Sequence, residues 1–205
     1  MTKGQQALQR LREGNQRFAS EANRGETFLR RMQGAKTAIE QQPIAIVLGC
    51  SDSRVPVEIV FDQDLGDLFV IRVAGNIVAP SQLGSVEFAA ERFGTRLVVV
   101  LGHTQCGAIQ GTLERLRNPD APLFSPHTHF IAERIKPALA GLLDPERAPD
   151  RDTLIQQCVR ANVRQSVEQL RHGSQILERL IETDELLVAG AEDSLETGRV
   201  EIFAD

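Results

Sequence analysis

Residues 43–49 read Pro-Ile-Ala-Ile-Val-Leu-Gly, and residues 96–102 read Arg-Leu-Val-Val-Val-Leu-Gly. A third apolar run, Asp-Leu-Phe-Val-Ile-Arg-Val, occupies residues 67–73. Short, continuous runs rich in β-branched residues and bounded by proline or glycine are typical of strands that are covered on both faces, as in a parallel sheet. These three segments therefore predict the centre of a mostly parallel sheet.

The segments between and after these runs have the patterns of helices. Apolar spacing and helix-stop residues predict four helices, over residues 81–93, 106–117, 152–172 and 174–183. Ser81 is the expected cap of the first of them, and Gly94 is its expected stop. Strands that alternate with helices predict an α/β layer architecture with right-handed crossovers.

The two ends of the chain add further elements. Apolar residues recur at helical spacing over residues 8–18 and 28–39, which predicts two helices as an N-terminal arm. Packing of this arm on its own sheet is a simpler arrangement than clasping a partner subunit. Residues 185–190 and 199–203 predict two strands around a turn at residues 197–198. The expected fold class is therefore α/β, with a central, mostly parallel β-sheet flanked by helices and an N-terminal helical arm.

Composition excludes several classes of function. The 205 residues carry a formal charge of −5 and include neither tryptophan nor tyrosine, so neither a basic surface for nucleic acid nor an aromatic platform for bases is expected. No apolar run approaches the roughly 18 residues of a membrane span, and the polar opening is unlike a signal peptide. Three cysteines do not make a disulfide framework. We expect a cytoplasmic protein with no nucleic-acid or membrane partner.

Residues with metal-binding chemistry follow two of the predicted strands directly. Cys50, Asp52 and Arg54 come after the first strand, and His103 and Cys106 come after the strand that ends at residue 102. Ligands gather outside the carboxyl ends of parallel strands, so these groups are expected to converge. Two thiolates and an imidazole suit zinc, and three protein ligands leave the fourth position open, as in catalytic rather than structural zinc sites.

Each of these residues also has a simpler interpretation when it is taken alone. A single buried cysteine is usually a small apolar residue, and a single His-x-x-Cys pair is a weak signal. Asp52 alone would shape a turn, and Arg54 alone would form a surface ion pair of little energy. Placement of both groups immediately after buried strands favours the zinc site.

The two motifs together resemble the signature of the β-class carbonic anhydrases. The matching segments are Cys-Ser-Asp-Ser-Arg at 50–54 and Gly-His-Thr-Gln-Cys-Gly at 102–107, and the resemblance continues through Phe69, Arg72 and residues 75–76 to residues 190–200. It implies zinc held by Cys50, His103 and Cys106, and reversible hydration of carbon dioxide to bicarbonate. It also implies zinc-bound hydroxide as the nucleophile, oriented by the Asp52–Arg54 dyad, and a homodimer or homotetramer.

The resemblance also assigns a carbon dioxide pocket. Its expected lining is Val55, Phe69, Ala74 and Gly75, with Gln41 and Phe88 crossing a subunit interface. For Phe69 and Phe88 a place in the apolar core is an equal alternative, and Gln41 could simply end a helix before Pro43. Val73 stands where the family pattern has a polar residue.

Two further properties of the family bear on regulation. In part of the family the aspartate that matches Asp52 closes the zinc site as a fourth ligand, and Arg54 would compete with the metal for it. Arg72 matches the arginine of a bicarbonate pocket, but Val47 and Asp193 stand where its tryptophan and tyrosine are expected. That pocket cannot be built here in its known form.

The remaining cysteine and histidines have structural interpretations. Cys158 is expected to be a packed core thiol, and His172 a cation that suits a helix end. His127 and His129 are expected in a solvated loop rather than a second metal site.

Three functions are compatible with these residues. A zinc-dependent carbonic anhydrase leads, and a hydrolase of carbonyl sulfide or carbon disulfide is its nearest enzymatic rival. A zinc-containing bicarbonate sensor is disfavoured by the intact Asp52–Arg54 pair. The chain is expected to be a single domain over residues 1–205, with a helical arm at 1–42, a zinc-binding α/β core at 43–118 and a helical region with the last strands at 119–205.

Overall fold

A five-stranded sheet lies at the centre of the part of the chain that the structure, a computed structural model, describes, namely residues 1–20, 41–118, 125–143 and 149–204. The strands are β1 (Ala45–Gly49), β2 (Leu68–Arg72), β3 (Leu97–His103), β4 (Leu187–Asp193) and β5 (Val200–Ala204). Their order is β2-β1-β3-β4-β5; β1 to β4 are parallel, and β5 is antiparallel to β4. The predicted mostly parallel sheet is confirmed.

Helices cover this sheet. They are α1 (Lys3–Ala19), α2 (Val57–Val60), α3 (Pro80–Arg92), α4 (Gly107–Arg117), α5 (Pro126–Leu139), α6 (Arg151–His172) and α7 (Gln175–Glu182), with short 3-10 turns at Ala74–Asn76 and Ala140–Leu142. The four predicted helices α3, α4, α6 and α7 are present within one or two residues of their expected ends. The predicted helix over 28–39 lies outside the described residues. Within the described ranges, no helix is both long and apolar enough to cross a membrane.

Alternate residues of each central strand enter two apolar layers. Ile46 and Leu48 of β1 pack in a cluster with α3, α6 and α7. Ala45 and Val47 pack in a second cluster with α1 and α2. All five residues of β1 and all seven of β3 are buried, because both faces of the sheet are covered. This double coverage explains why these strands read as continuous apolar runs rather than as alternating ones.

Two local predictions about helix starts were wrong. Ala79, not Ser81, is the cap of α3, and the proline at position 80 occupies the first helical position, where its missing N–H costs nothing. His127 and His129 lie in α5, not in a loop. The Ser125 side chain accepts a hydrogen bond from the amide of Thr128 and so begins this helix. Both histidines are exposed.

The strand predicted over 185–190 begins later and runs further, as β4. It pairs with β3 along its whole length, ending with His103 opposite Asp193. Glu192 and Asp193 are buried although they are acidic. Their charge concealed the end of this strand in the sequence pattern.

The first helix packs on its own sheet, which favours the simpler alternative for that part of the arm. Leu11 is fully buried against the layer that contains Val47. Gly14 lies so close to the backbone of Phe61 that a Cβ at position 14 would lie 1.9 Å from the carbonyl oxygen of Phe61. The side-chain amide of Asn15 donates to the carbonyls of Val60 (3.1 Å) and Gly198 (2.8 Å).

We expect Asn15→Ala to destabilise the protein by about 2 to 4 kcal/mol, because one buried and two partly buried backbone groups lose their partner. Besides its two donated bonds, Asn15 accepts a hydrogen bond of 2.8 Å from the amide of Val200. Denaturant unfolding measures the change. Gln16→Ala, at an exposed neighbour on the same helix, is the control and should stay within about 0.5 kcal/mol of the parent. An equal effect of both substitutions would contradict this assignment.

Candidate active site

Two sulfurs and one imidazole converge at the carboxyl edge of the sheet. Cys50 follows β1, His103 is the last residue of β3, and Cys106 is the N-cap of α4. The ladder that pairs Gly49 with Leu101 brings the two strand ends together. The Sγ atoms of Cys50 and Cys106 are 4.0 Å apart, and the three ligand atoms all lie within 4.8 Å of one another. All three residues are buried.

The imidazole of His103 presents one nitrogen to this group. Its Nδ1 lies 2.9 Å from the carbonyl oxygen of Thr104, which is the geometry of an Nδ1–H donor. Its Nε2 is buried and has no hydrogen-bond partner among the described residues. A buried polar atom without a partner is costly, and imidazoles that bind a metal almost always donate their other ring N–H in this way.

Of the two thiols, Cys50 loses its proton more readily than Cys106. The hydrogen bond from Cys106 lowers the pKa of Cys50 although burial opposes it. The same contact, together with burial, raises the pKa of Cys106. The second proton would therefore leave only when a cation balances both thiolates.

The spacing and chemistry of these three residues fit zinc. Tetrahedral zinc with bonds of about 2.3 Å to sulfur requires the two sulfurs to be about 3.8 Å apart, close to the separation found here. The unpartnered Nε2 would supply the third ligand. The predicted ligands Cys50, His103 and Cys106 are therefore brought together by the fold.

A backbone amide reaches the sulfur of Cys50. The N–H of Gly75 donates to Cys50 Sγ at 3.4 Å. Gly75 has φ +70°, and a Cβ at this position would lie 2.8 Å from Cδ1 of Ile135. Both its backbone conformation and its surroundings thus favour glycine. The resemblance assigned Gly75 to the substrate pocket, and the structure gives it this additional contact with a ligand sulfur.

Asp52 and Arg54 form the predicted pair beside the three ligands. Nε and Nη2 of Arg54 donate to the two carboxylate oxygens of Asp52 at 2.9 and 2.8 Å, and the amide of Arg54 donates to Oδ1 at 3.0 Å. The Arg54 guanidinium holds the pKa of Asp52 far below its usual range, so this carboxylate is ionised at neutral pH. Its Oδ2 lies 3.9 Å from Nε2 of His103.

Arg72 binds the backbone of the loop that carries Cys50 and Asp52. Its Nε donates to the carbonyl of Cys50 at 3.0 Å, and its Nη2 donates to the carbonyl of Asp52 at 2.5 Å. Val47 and Asp193, which the resemblance placed at the other two positions of a bicarbonate pocket, are both buried. Sequence reasoning connected Arg72 with bicarbonate and missed its contacts with the 50–52 backbone.

The six predicted pocket residues have different surroundings. Gly75 contacts the sulfur of Cys50, and Ala74 precedes it in the same 3-10 turn. Val55 is buried, and its amide donates to the carbonyl of Asp52. Phe69 and Phe88 instead contact each other, with ring centroids 6.2 Å apart, and both contact Phe93. Phe88 is 53% exposed, and Gln41 is exposed as well. The role of all six in binding carbon dioxide stays a prediction.

Sequence reasoning also missed two polar residues of α6. Asn162 and Ser166 are buried on the face of the helix that otherwise carries Val159, Val163 and Val167. Both bind the backbone of residues 75–76. Polar side chains four residues apart within an apolar stripe are the signal that would have identified them. Cys158, on the same helix, is fully buried among apolar side chains, as predicted.

Asp193 makes the stability of the metal-free protein depend on pH. It is 2% exposed, and burial raises its pKa to about 6. A raised carboxyl pKa means that the folded state holds the proton more tightly, so stability is lost as pH rises from the unfolded pKa through about 6.

We therefore expect Asp193→Asn to stabilise the metal-free protein, and to do so more at higher pH. The advantage over the parent should be larger by about 2 kcal/mol at about pH 7.5 than at about pH 4.5. Urea unfolding at both pH values measures it. An advantage independent of pH would contradict the assignment.

Comparisons with known proteins agree with this geometry. A family model described as carbonic anhydrase matches residues 45–200. The chain is 36% identical to a carbonic anhydrase of Mycolicibacterium smegmatis, over 96% of this chain and 91% of that protein. It is 34% identical to carbonic anhydrase 2 of Mycobacterium tuberculosis, over 94% and 89% of the two chains.

Solved structures give the same result for the fold. The β-carbonic anhydrase CcaA superposes with a TM-score of 0.72 at 25% identity, covering 96% of this chain and 94% of that one. A tetrameric β-carbonic anhydrase of Sordaria macrospora superposes with a TM-score of 0.71 at 22% identity, covering 89% of each chain.

Proposed function

The chain belongs to the carbonic anhydrase family, in its β class, and we propose that it hydrates carbon dioxide to bicarbonate with zinc held by Cys50, His103 and Cys106. The observation that carries the metal assignment is the buried, unpartnered Nε2 of His103 beside two sulfurs 4.0 Å apart. Zinc at this position would lower the pKa of a water molecule, which makes hydroxide available near neutral pH.

Asp52 orients the attacking oxygen rather than taking its proton. Because Arg54 keeps Asp52 ionised, this carboxylate is a poor proton acceptor near neutrality and a good hydrogen-bond acceptor. By accepting the hydrogen of the nucleophile it directs an oxygen lone pair towards carbon dioxide. The reaction adds the elements of water to carbon dioxide, giving bicarbonate and one proton that leaves to solvent.

Arg54 and Arg72 keep Asp52 in place for this role. The planar fork of Arg54 matches both carboxylate oxygens, and the guanidinium of Arg72 holds the backbone carbonyl of the same residue. Because Arg54 engages both of its carboxylate oxygens, Asp52 would be less available as a ligand to a metal ion. The metal would then be held by Cys50, His103 and Cys106, and Asp52 would be left to orient the reacting water.

We also propose that the enzyme is a homodimer or homotetramer in the cytoplasm. The half-exposed ring of Phe88 and its contacts with Phe69 and Phe93 support an interface on the outer side of β2 and α3. Tetramers occur in the structural relative from Sordaria macrospora. A pair of thiolate ligands favours a reducing compartment.

Stopped-flow measurement of carbon dioxide hydration tests the proposed function. Protein as purified, after treatment with a chelator and after return of one equivalent of zinc should show activity, loss and recovery. Absence of a zinc-dependent rate at every pH from about 6 to 9 would overturn the proposal.

Two measurements on the same preparation extend this test. Assays with carbonyl sulfide and carbon disulfide should give much lower rates than carbon dioxide; the reverse order would favour the rival hydrolase. Light scattering should give two or four times the chain mass of 22.6 kDa.

A further inference from the structure

We propose that Asn162 and Ser166 of α6 are positioning residues for the metal group, acting through the turn at residues 74–76. They hold this turn so that the amide of Gly75 stays on the sulfur of Cys50. The inference rests on the proposed function in one respect, since it takes zinc as the ion that Cys50 binds.

The contacts are two buried hydrogen bonds from one face of α6. Nδ2 of Asn162 donates to the carbonyl of Gly75 at 2.8 Å, and Oγ of Ser166 donates to the carbonyl of Asn76 at 3.0 Å. Each of the two side chains belongs to a residue that is 1% exposed. Their spacing of four residues places both donors on the same side of the helix.

The turn needs this support because Asn76 has an uncommon backbone conformation and because the turn is buried. Gly75 has φ +70° and Asn76 has φ +42°, so two consecutive residues lie in the left-handed region. Glycine adopts this region freely, but for Asn76 the conformation carries a cost that the surrounding structure must offset. The carbonyls of both residues would be buried without a partner if α6 offered only apolar side chains.

The turn also places a hydrogen-bond donor, the amide of Gly75, against the sulfur of Cys50. The amide of Gly75 lies 3.4 Å from Cys50 Sγ, and the side chain of Ile135 leaves no room for a Cβ on Gly75. A hydrogen bond to a thiolate withdraws electron density from the sulfur. Groups that hydrogen-bond to a metal ligand change the affinity of the site for the metal and the basicity of that ligand. The amide of Gly75 would have this effect on Cys50.

The test compares the double variant Asn162→Leu/Ser166→Ala with the parent. Leucine keeps the branched shape of asparagine, although it is larger, and it donates no hydrogen bond. The zinc dissociation constant, measured by competition with a chromophoric chelator, should rise about 10- to 100-fold. In the cobalt-substituted protein the sulfur-to-metal charge-transfer band should move to lower energy, because the sulfur loses part of its hydrogen bonding.

Val167→Ala is the matched control. Val167 is also 1% exposed and follows Ser166 on the same helix, but it packs in the apolar cluster on the sheet. Its truncation should lower the melting temperature while leaving the zinc affinity and the cobalt band unchanged. A spectral shift confined to the double variant separates positioning of the sulfur from general loss of stability.

Three results would decide the inference. Parental zinc affinity and an unshifted cobalt band in the double variant would overturn it while leaving the proposed function intact. Failure of the parent itself to bind zinc would overturn both. If the double variant does not fold, Ser166→Ala alone must show a smaller shift in the same direction, and no shift would overturn the inference.

Discussion

Replacing Cys106 by serine is expected to remove stoichiometric zinc and to lower kcat/KM for carbon dioxide hydration by more than about a thousandfold. Loss of a residue that only orients a metal ligand already costs about 10- to 100-fold, so loss of a ligand itself should cost more. Serine fits the buried position of Cys106, so folding should be retained. Elemental analysis and stopped-flow kinetics on the same sample measure both effects.

Cys158→Ala provides the control for this substitution. Cys158 is a fully buried thiol in the same apolar cluster as Cys50 and Cys106, but it lies outside the group of three ligands. The control should keep one zinc per chain and parental activity. Full zinc content in Cys106→Ser, or equal losses in both variants, would contradict the assignment of the ligands.

The second large effect is expected for Asp52→Asn. This variant should retain zinc, while kcat/KM falls by about 100- to 10,000-fold, the range found for positioned groups that handle the reacting proton or its hydrogen bond. Asparagine keeps the size of aspartate, but it loses the charge that Arg54 holds and offers one oxygen in place of two. Arg54→Lys should give a smaller loss, since the charge remains and the two-pronged contact is lost.

A second Asp–Arg pair, outside the candidate site, provides the control for the substitution of Asp52. Asp67 pairs with Arg10, and both side chains are partly exposed. Asp67→Asn removes the same chemical group from a pair outside the site, so its activity should equal that of the parent. A loss of activity in Asp67→Asn as large as that in Asp52→Asn, or unchanged activity in Asp52→Asn, would remove the dyad from the mechanism.

The central sheet and the ligand group could be predicted because their signals are local. The runs that became β1 and β3 are continuous in sequence, and Cys50 and His103 come directly at their ends. The rule that parallel strands present their carboxyl ends at one edge was then sufficient to bring remote residues together.

The anchoring of the turn at residues 74–76 could not be predicted in the same way. Asn162 follows Gly75 after a long intervening segment, and the hydrogen bond between them depends on how α6 crosses the sheet. Arg72 is similar, because its contacts are with backbone carbonyls, which every residue possesses. The helix that contains His127 and His129 was missed because its two prolines, Pro126 and Pro137, resembled loop signals.

X-ray absorption at the zinc edge of the loaded protein tests the central claim most directly. Zinc held by Cys50, His103 and Cys106 predicts two sulfur neighbours at about 2.3 Å and two nitrogen or oxygen neighbours at about 2.0 to 2.1 Å. Zinc surrounded by nitrogen and oxygen alone, or a protein that retains no zinc to measure, would contradict it.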